Sequence, residues 1–483
     1  MAPGVVPPSQ RVEALWEVRR PDEAAVLKLR QALGLDGLSA SLLVNRGFED
    51  PEEAKAFLKP RLSSLPDPSL MKGMDEAVER ILKALDQSEL ICVWGDYDVD
   101  GVTSASQLLA FFRALGVEVR SFVPDRFQDG YGLSAERIED LANDGVELLI
   151  TVDCGISNAQ EVERANTLGV DVIVVDHHQV PERLPPAVSV IDPHQDGCAW
   201  PEKDLAACGV TWVLLVALRR ALRARGHFKE GDEPDLRRWL DLTAIGTVAD
   251  LVPLRGLNRI IVQLGLQQIA HTERVGVRAL CEVSGLKKEE ITAGRIGFHL
   301  GPRINAAGRI AHAGAGVELL TSTERAKALK SAKHIDAYNL ERRSLQEKVF
   351  EDACRLADTH PEPDKRRAIV LAQEGWHAGV LGIVASKLVE RYHRPSVVLT
   401  IEEGEAKGSA RSIRGFKLVQ HLDALQAFLS KYGGHDHAAG MTLQADQVDD
   451  FAQALDARAR EALDAEHLQP RLSLDYECPL EEV

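Results

Sequence analysis

Three things are scarce in this 483-residue chain: paired cysteines, long apolar runs and basic charge. Its seven cysteines (92, 154, 198, 208, 281, 354 and 478) include no C-x-x-C pair, and an odd, dispersed set argues against both a zinc ribbon and a disulfide framework. No apolar stretch reaches the ~20 residues that a bilayer-crossing helix needs. The Pro-rich start, residues 1–10, lacks the basic-then-apolar order of a signal peptide, so a cytoplasmic protein with no membrane partner is expected. Repeats and low-complexity tracts are also absent. The balance of 57 Lys and Arg against 74 Asp and Glu leaves a net charge of −17. Phosphate contacts come from Lys and Arg, so such a chain is not an obvious nucleic-acid binder. A carboxylate site built for several metal ions creates negative charge of its own, however, and bound cations invert it locally. Composition therefore neither supports nor excludes DNA. The length exceeds one ordinary core, and two or more domains are expected.

What is present is acid in particular places. Gly95-Asp96-Tyr97-Asp98-Val99-Asp100-Gly101 and Asp176-His177-His178 each follow an apolar, strand-like segment. Asp and His are ligands for divalent metals. Two further aspartates, Asp153 and Asp250, also end β-branched runs, so ligand types are expected at four strand ends. The first run superficially resembles a calcium loop. An EF-hand needs an acidic residue at loop position twelve, here Gln107, and a helix before the loop, where residues 90–94 read as a strand. Capping of the helix that begins near Thr103 accounts for one aspartate, not three at alternate positions. Adjacent residues of an extended segment point opposite ways, which assigns His177 to metal and His178 to substrate phosphate or support. Asp153 and Asp250 taken singly are cap or turn residues as readily as ligands. Their weight comes from the set.

Along the chain, residues 1–20 read as mobile, and 21–60 as short helices punctuated by Pro51 and Pro60. Helical spacing over 74–85 gives way to alternation. Strand-like runs cover 90–94, 117–123, 146–152, 170–175 and 187–191, with a helix through Leu115. Such alternation implies a parallel α/β sheet, whose ligands sit at the carboxyl ends of strands. Residues 205–300 are mainly helical. From Thr323 to His360 no Gly or Pro interrupts a helical pattern, which suggests one long connecting helix. Beyond it, 368–371, 397–401 and 441–443 suggest a smaller sheet, and 472–476 a last strand.

These segments together resemble the DHH phosphoesterase superfamily, and most closely the RecJ family of bacterial single-strand-specific DNA exonucleases. The resemblance runs from about Asn45 to Leu443. Beyond the two acidic motifs it takes in residues 45–48, 205–210, 241–250 and the Gly-Pro-Arg-Ile-Asn-Ala-Ala-Gly-Arg run at 301–309. Residues 375–386, 408–412 and 433–435 resemble the DHHA1 domain, which covers the active site in that superfamily. Arg303 and Arg309 flank small residues that allow close backbone approach, and guanidinium forks suit phosphate; solvated arginines on a packing helix are the alternative. Residues 375–386 read as a Gly-rich turn opening a helix whose first amides favour anions, with His377 beside them. Packing through Gly379 and Gly382 is the competing account. Residues 433–435 also read as an ordinary turn.

The resemblance implies a parallel-sheet DHH domain joined by a long helix to a smaller α/β DHHA1 domain. Its boundaries would be 1–75 for an N-terminal extension, 76–320 for the DHH domain, 321–362 for the connecting helix, 363–465 for DHHA1 and 466–483 for the start of an OB-fold. It implies a site of Asp96, Asp98, Asp100, Asp153, His177, His178 and Asp250. Asp98 and Asp153 would hold one cation; Asp100, His177, Asp250 and a shared oxygen of Asp153 would hold a second, with Asp96 as ligand or support. Imidazole among carboxylates favours Mn²⁺, with Mg²⁺ as a substitute. Arg303, Arg309, His377, Arg411 and His435 would grip phosphates, with Asn305, Ser409 and Gly434 also at the substrate. The implied reaction is stepwise release of 5′-mononucleotides from the 5′ end of single-stranded DNA, in repair and recombination, by a monomer with single-strand-binding protein and helicase as partners. A phosphodiesterase acting on short oligonucleotides or small nucleotides is the rival, and a non-catalytic relative, which would have lost ligands, a second.

Overall fold

The computed structural model describes residues 14–125, 129–311, 314–362 and 365–478. The described strands are β1 (Leu15–Val18), β2 (Ile91–Gly95), β3 (Arg120–Phe122), β4 (Leu148–Val152), β5 (Asp171–Val175), β6 (Ser189–Ile191), β7 (Ile369–Glu374), β8 (Ser396–Glu402), β9 (Glu405–Arg411), β10 (Leu429–His435), β11 (Ala438–Gln444) and β12 (Arg471–Leu474). The chain divides into two compact units, one of Lys55–Leu340 and one of Met1–Ala54 with Glu341–Val483.

The Lys55–Leu340 unit is built on a parallel sheet in the order β3-β2-β4-β5-β6. Its central strands are apolar at nearly every position because both faces are covered. Val93, Ile150 and Ile173 pack into the core that holds the Val99–Ala114, Ala207–Ala224 and Leu240–Ala249 helices. Their neighbours Cys92, Leu149, Val172 and Val174 point into a second core with Ile138 and Val162, from the helices Ala135–Asn143 and Ala159–Thr167. This is the period-two alternation of a strand with a helix layer on each side.

One expectation fails here. Asp250 does not end a strand: it caps the carboxyl end of the Leu240–Ala249 helix. Thr243, Ile245, Thr247 and Val248 carry the β-branched signal, but every residue of that helix from Leu240 to Val248 is buried among neighbouring helices. Burial on all sides outweighs the small penalty of branched residues in a helix.

The second unit carries the mixed sheet β10-β11-β9-β8-β7, in which β7 and β8 are parallel and the other pairs antiparallel. The Ala378–Tyr392 helix connects β7 to β8. Residues 433–435 belong to β10 and are no turn. Residues 15–18, expected to be mobile, form β1 and pair in parallel with β12, the strand anticipated near 472–476. Asn45 fixes that pair by donating to the Asp475 carbonyl at 2.5 Å. The expectations for residues 1–13 and 479–483 lie outside the described residues. The long helix runs unbroken over Arg325–Asp358, its residues divided between the units. No helix of the described residues is long and apolar enough to cross a membrane.

Candidate metal centre

Register builds the site. β2, β4 and β5 are neighbours, with Gly95 opposite Val152 and Val152 opposite Val175. The ladder continues one residue past each strand: Asp96 N–H donates to Val152 (3.2 Å), Asp153 N–H to Val175 (3.0 Å) and Asp176 N–H to Ile191 (3.0 Å). Three aspartates therefore stand in a row on the carboxyl edge of the sheet. Asp153 has φ 64°, a left-handed conformation uncommon outside glycine, which aspartate tolerates better than most residues.

The acidic loop turns directly into the Val99–Ala114 helix. Asp98 is its N-cap, accepting from the amides of Asp100 (2.8 Å) and Gly101 (3.2 Å). Gly101 is needed because a Cβ there would lie 2.5 Å from the backbone N and O of Asp96. Asp100 is buried, and its two oxygens accept from Ala207 N–H (2.6 Å) and Cys208 N–H (2.8 Å), the positive end of the Ala207–Ala224 helix. This explains why residues 205–210 belong to the motif set. Gly246 lets the Leu240–Ala249 helix approach; a Cβ on it would lie 2.4 Å from Thr103 Oγ1 and 3.1 Å from Asp100 Oδ1.

His177 is the hub. Its Nε2 lies 3.2 Å from Asp153 Oδ1 and 3.8 Å from Asp100 Oδ2, and its Nδ1 lies 3.8 Å from Asp250 Oδ2. His178 instead places Nδ1 2.7 Å from Asp176 Oδ1. Strand alternation does not separate the two rings, because β5 ends at Val175; their centroids are 4.6 Å apart. Asp176, fully buried, also accepts from the amides of Ile156, His177 and His178, which makes it the bracket of the histidine pair.

The electrostatics point the same way. Burial pushes the Asp153 carboxyl far above the carboxylate range, and Asp98, Asp100, Asp96 and Asp176 add to it. Burial likewise raises Asp100, against the pull of His177. Asp250 is pushed up to about 8 by burial, then by Asp100 and Asp98. His178 loses to burial but gains more from its Asp176 hydrogen bond and the surrounding carboxylates, ending at about 9. The two histidines offset only part of this crowding of carboxylates. The donor atoms are grouped accordingly: Asp96, Asp98 and Asp153 in one set, Asp100, His177 and Asp250 in another, and Asp153, His177 and His178 in a third, each within 4.8 Å. All-oxygen and mixed oxygen–imidazole sets suit hard to borderline divalent cations.

A cavity of about 270 Å³ opens on this cluster, lined by Asp96, Tyr97, Asp98, Tyr131, Asp153, His178, Asp250, Asn305, Gly308 and Arg309. A larger cavity, about 470 Å³, lies among Leu62, Trp212 and Arg223 and contains none of these groups. Asn305 accepts from Val99 N–H at 3.2 Å, bracing the loop as well as lining the cavity. Arg303 is turned to other work. It pairs with Asp336 (2.8 Å) and donates to the His299 carbonyl (2.8 Å), so Arg309 is the arginine at the cavity. Sequence reading missed Tyr131, whose hydroxyl donates to the Asp153 carbonyl (3.3 Å) and lies 3.4 Å from His178 Nδ1. Its signal was the glycine on either side, Gly130 and Gly132, both at positive φ.

In the other unit, His377 caps the Ala378–Tyr392 helix by accepting from Gly379 N–H at 3.1 Å. A Cβ on Gly382 would lie 3.1 Å from an Arg411 guanidinium nitrogen and 3.4 Å from Ser409 Oγ. His435 and Arg411 flank Ala438 from β10 and β9. Gly434 (φ 148°) sits on β10, where a Cβ would meet the Ala438 carbonyl oxygen at 2.3 Å.

The parallel sheet, the carboxylate–imidazole edge and the second mixed sheet define a DHH-type phosphoesterase fold. The DHH family N-terminal domain matches residues 90–247 and the DHHA1 domain residues 365–461. RecJ of Bacillus subtilis is 42% identical over 470 residues, covering 97% of this chain and 58% of that protein. RecJ of Dickeya dadantii is 40% identical and covers 90% of this chain and 77% of its own length. Both are named single-stranded-DNA-specific exonucleases. The crystal structure of Thermus thermophilus RecJ in complex with Mn²⁺ superposes with a TM-score of 0.81 at 32% identity, over 95% of this chain and 64% of that one. The chain belongs to the RecJ family, and it spans less than two thirds of the Bacillus and Thermus relatives.

Proposed function

We propose that this chain is the catalytic part of an exonuclease that releases 5′-mononucleotides stepwise from the 5′ end of single-stranded DNA, with Mn²⁺ as cofactor and Mg²⁺ as substitute. The observation that carries this is the overlap of three donor sets: Asp153 links Asp96–Asp98–Asp153 to Asp153–His177–His178, and His177 links the latter to Asp100–His177–Asp250. Asp96, Asp98 and Asp153 would hold one ion, and Asp100, His177 and Asp250, with Asp153 shared, the other. Ions bound there polarise phosphate oxygens and make water a better nucleophile. The protein's own groups do the rest. Asp176 holds His178 Nδ1 and so leaves Nε2 for a phosphate oxygen; Arg309, which also lines the cavity, supplies a second cationic contact. In-line attack on phosphorus needs no covalent enzyme intermediate. The relatives' names support the substrate, and their Mn²⁺ and Mg²⁺ complexes the cofactor. Seven free cysteines fit a reducing cytoplasm, where the enzyme would serve repair and recombination.

The test is a single strand labelled at its 5′ end and incubated with Mn²⁺. Labelled mononucleotide should be the earliest product, and Asp153→Ala should release none while still unfolding cooperatively. Early shortening from the 3′ end, internal cuts, or Mn²⁺-dependent hydrolysis by D153A would overturn the proposal. Faster turnover of dinucleotides than of long strands would favour the small-substrate rival.

A further inference from the structure

Gln107, the residue that rules out a calcium loop, is completely buried, and the proposed chemistry does not use it. A buried side-chain amide must find both donors and acceptors, a demand that an apolar side chain of the same size would avoid. Gln107 meets it on two other helices. Its Nε2 donates to the Cys208 carbonyl (3.2 Å), and its Oε1 accepts from Thr243 Oγ1 (3.0 Å). Its backbone carbonyl accepts from Trp239 Nε1 at 3.2 Å. Cys208 Sγ donates in turn to the Thr243 carbonyl (3.3 Å) and lies 3.5 Å from Thr247 Oγ1. One polar layer therefore joins the Val99–Ala114, Ala207–Ala224 and Leu240–Ala249 helices inside the apolar core.

The acids of the metal centre lie on the same helix faces as this layer. Asp100, Thr103 and Gln107 are spaced by three and four residues, and Thr243, Thr247 and Asp250 by four and three. Gln107 and Thr243 thus each stand two turns inside an acid, about 10 Å along the helix. The two helices run antiparallel, since Asp100 lies in the first turn of one and Asp250 caps the carboxyl end of the other. The Gln107–Thr243 bond is therefore the inner counterpart of the approach of Asp100 to Asp250, whose donor atoms lie within 4.8 Å of each other and of His177. Hydrophobic packing is non-directional and leaves the register of two helices soft. A hydrogen bond fixes it, because donor and acceptor must stay about 2.7–3.2 Å apart. The Cys208 bond does the same for the helix whose amides hold Asp100. We infer that Gln107 is a positioning residue for the metal centre: by tying its helix to Thr243 and Cys208 it sets where Asp100 and Asp250 meet, and so the affinity for the ion they share with His177. The inference rests on the two-ion proposal and extends it from the ligands to the residue that spaces them.

Calorimetric titration with Mn²⁺ alone, without DNA, reads the effect directly. The ion in question is the one that Asp250→Asn weakens. Gln107→Leu nearly keeps the volume and strands no donor, since Thr243 Oγ1 also reaches the Trp239 carbonyl (2.9 Å). It should weaken that ion about tenfold, in the usual range for groups that support a metal ligand, and leave the other ion at wild-type affinity. Thr243→Val cuts the same bond from the other side and should cost as much, with the double variant losing no more than either single one. Leu108→Ala hollows the core one residue along the same helix and separates positioning from stability. It should lower the melting temperature at least as far as Q107L and leave both ions unchanged. Wild-type affinity for both ions in Q107L and T243V, losses that add in the double variant, or an equal Mn²⁺ loss in L108A would overturn the inference alone. If wild type takes up no Mn²⁺, the two-ion proposal fails and the inference falls with it.

Discussion

Replacing Asp250 by asparagine should stabilise the metal-free protein, and increasingly so as pH rises. The Asp250 side chain is 22% exposed, and burial with Asp100 and Asp98 nearby lifts its carboxyl from 3.8 to about 8. A raised folded-state pKa means that the folded protein keeps a proton which the unfolded chain has released. The stability this group contributes is complete below its ordinary pKa and is lost as pH climbs through about 8. Relative to strong acid, the loss is about 2 kcal/mol at pH 5 and about 5 kcal/mol at pH 8. Asparagine has the same shape and cannot ionise, so it removes that dependence. Denaturant unfolding of wild type and D250N in chelator should therefore differ by about 3 kcal/mol more at pH 8 than at pH 5. Mn²⁺ should reverse the order at pH 5 and narrow the gap at pH 8. At one hundred times its dissociation constant it stabilises wild type by about 2.7 kcal/mol, and D250N, lacking a ligand, by much less. A pH-independent difference, or equal stabilisation of both proteins by Mn²⁺, would refute the reasoning.

Two further outcomes follow from the same geometry. Asp176→Asn removes the carboxylate that offsets burial at His178, so the His178 pKa should fall from about 9; histidine titration by NMR in chelator checks this, and an unchanged value would break the bracket assignment. Gly101→Ala places a Cβ 2.5 Å from the Asp96 backbone, which should destabilise by about 1–3 kcal/mol and reduce Mn²⁺-dependent hydrolysis, whereas normal melting and turnover would show that the loop relaxes freely.

The strands that matter were legible because a parallel sheet buried on both faces leaves unbroken apolar runs, and each run ended one residue before an aspartate. Asp96, Asp153 and Asp176 could thus be placed on one edge before any coordinates. Asp250 was seen as an acid at the end of a β-branched run, but its element was misread, since complete burial of a helix erases the polar face that would mark it. The amides that hold Asp100 lie 107 and 108 positions along the chain. No local pattern announces a helix start so distant, although residues 205–210 stood out by resemblance. Strands β9 and β10 were hidden by Gly408, Gly433 and Gly434; at Gly408 the glycine serves the sheet, since a Cβ there would lie 1.9 Å from the Val398 carbonyl oxygen. Arg303 looked like a phosphate ligand because nothing in its own segment reveals Asp336.

The backbone treats the carboxylates of the site unequally. Asp98 accepts two backbone amides, Asp100 two and Asp176 three. These hydrogen bonds stabilise negative charge without any ion, and Asp176, with His178 added, is held below the carboxylate range despite its burial. Among the described residues no backbone amide donates to the carboxylate of Asp153 or of Asp250, and both are pushed up by burial and by their acidic neighbours. Burial raises Asp100 as well, its amides and His177 offsetting it only in part, so the fold crowds Asp100, Asp153 and Asp250 together. Asp153 has a left-handed backbone, and Asp153 and His177 are each common to two donor sets. That crowding is relieved by protonation, as at Asp250, or would be relieved by divalent ions held as proposed above.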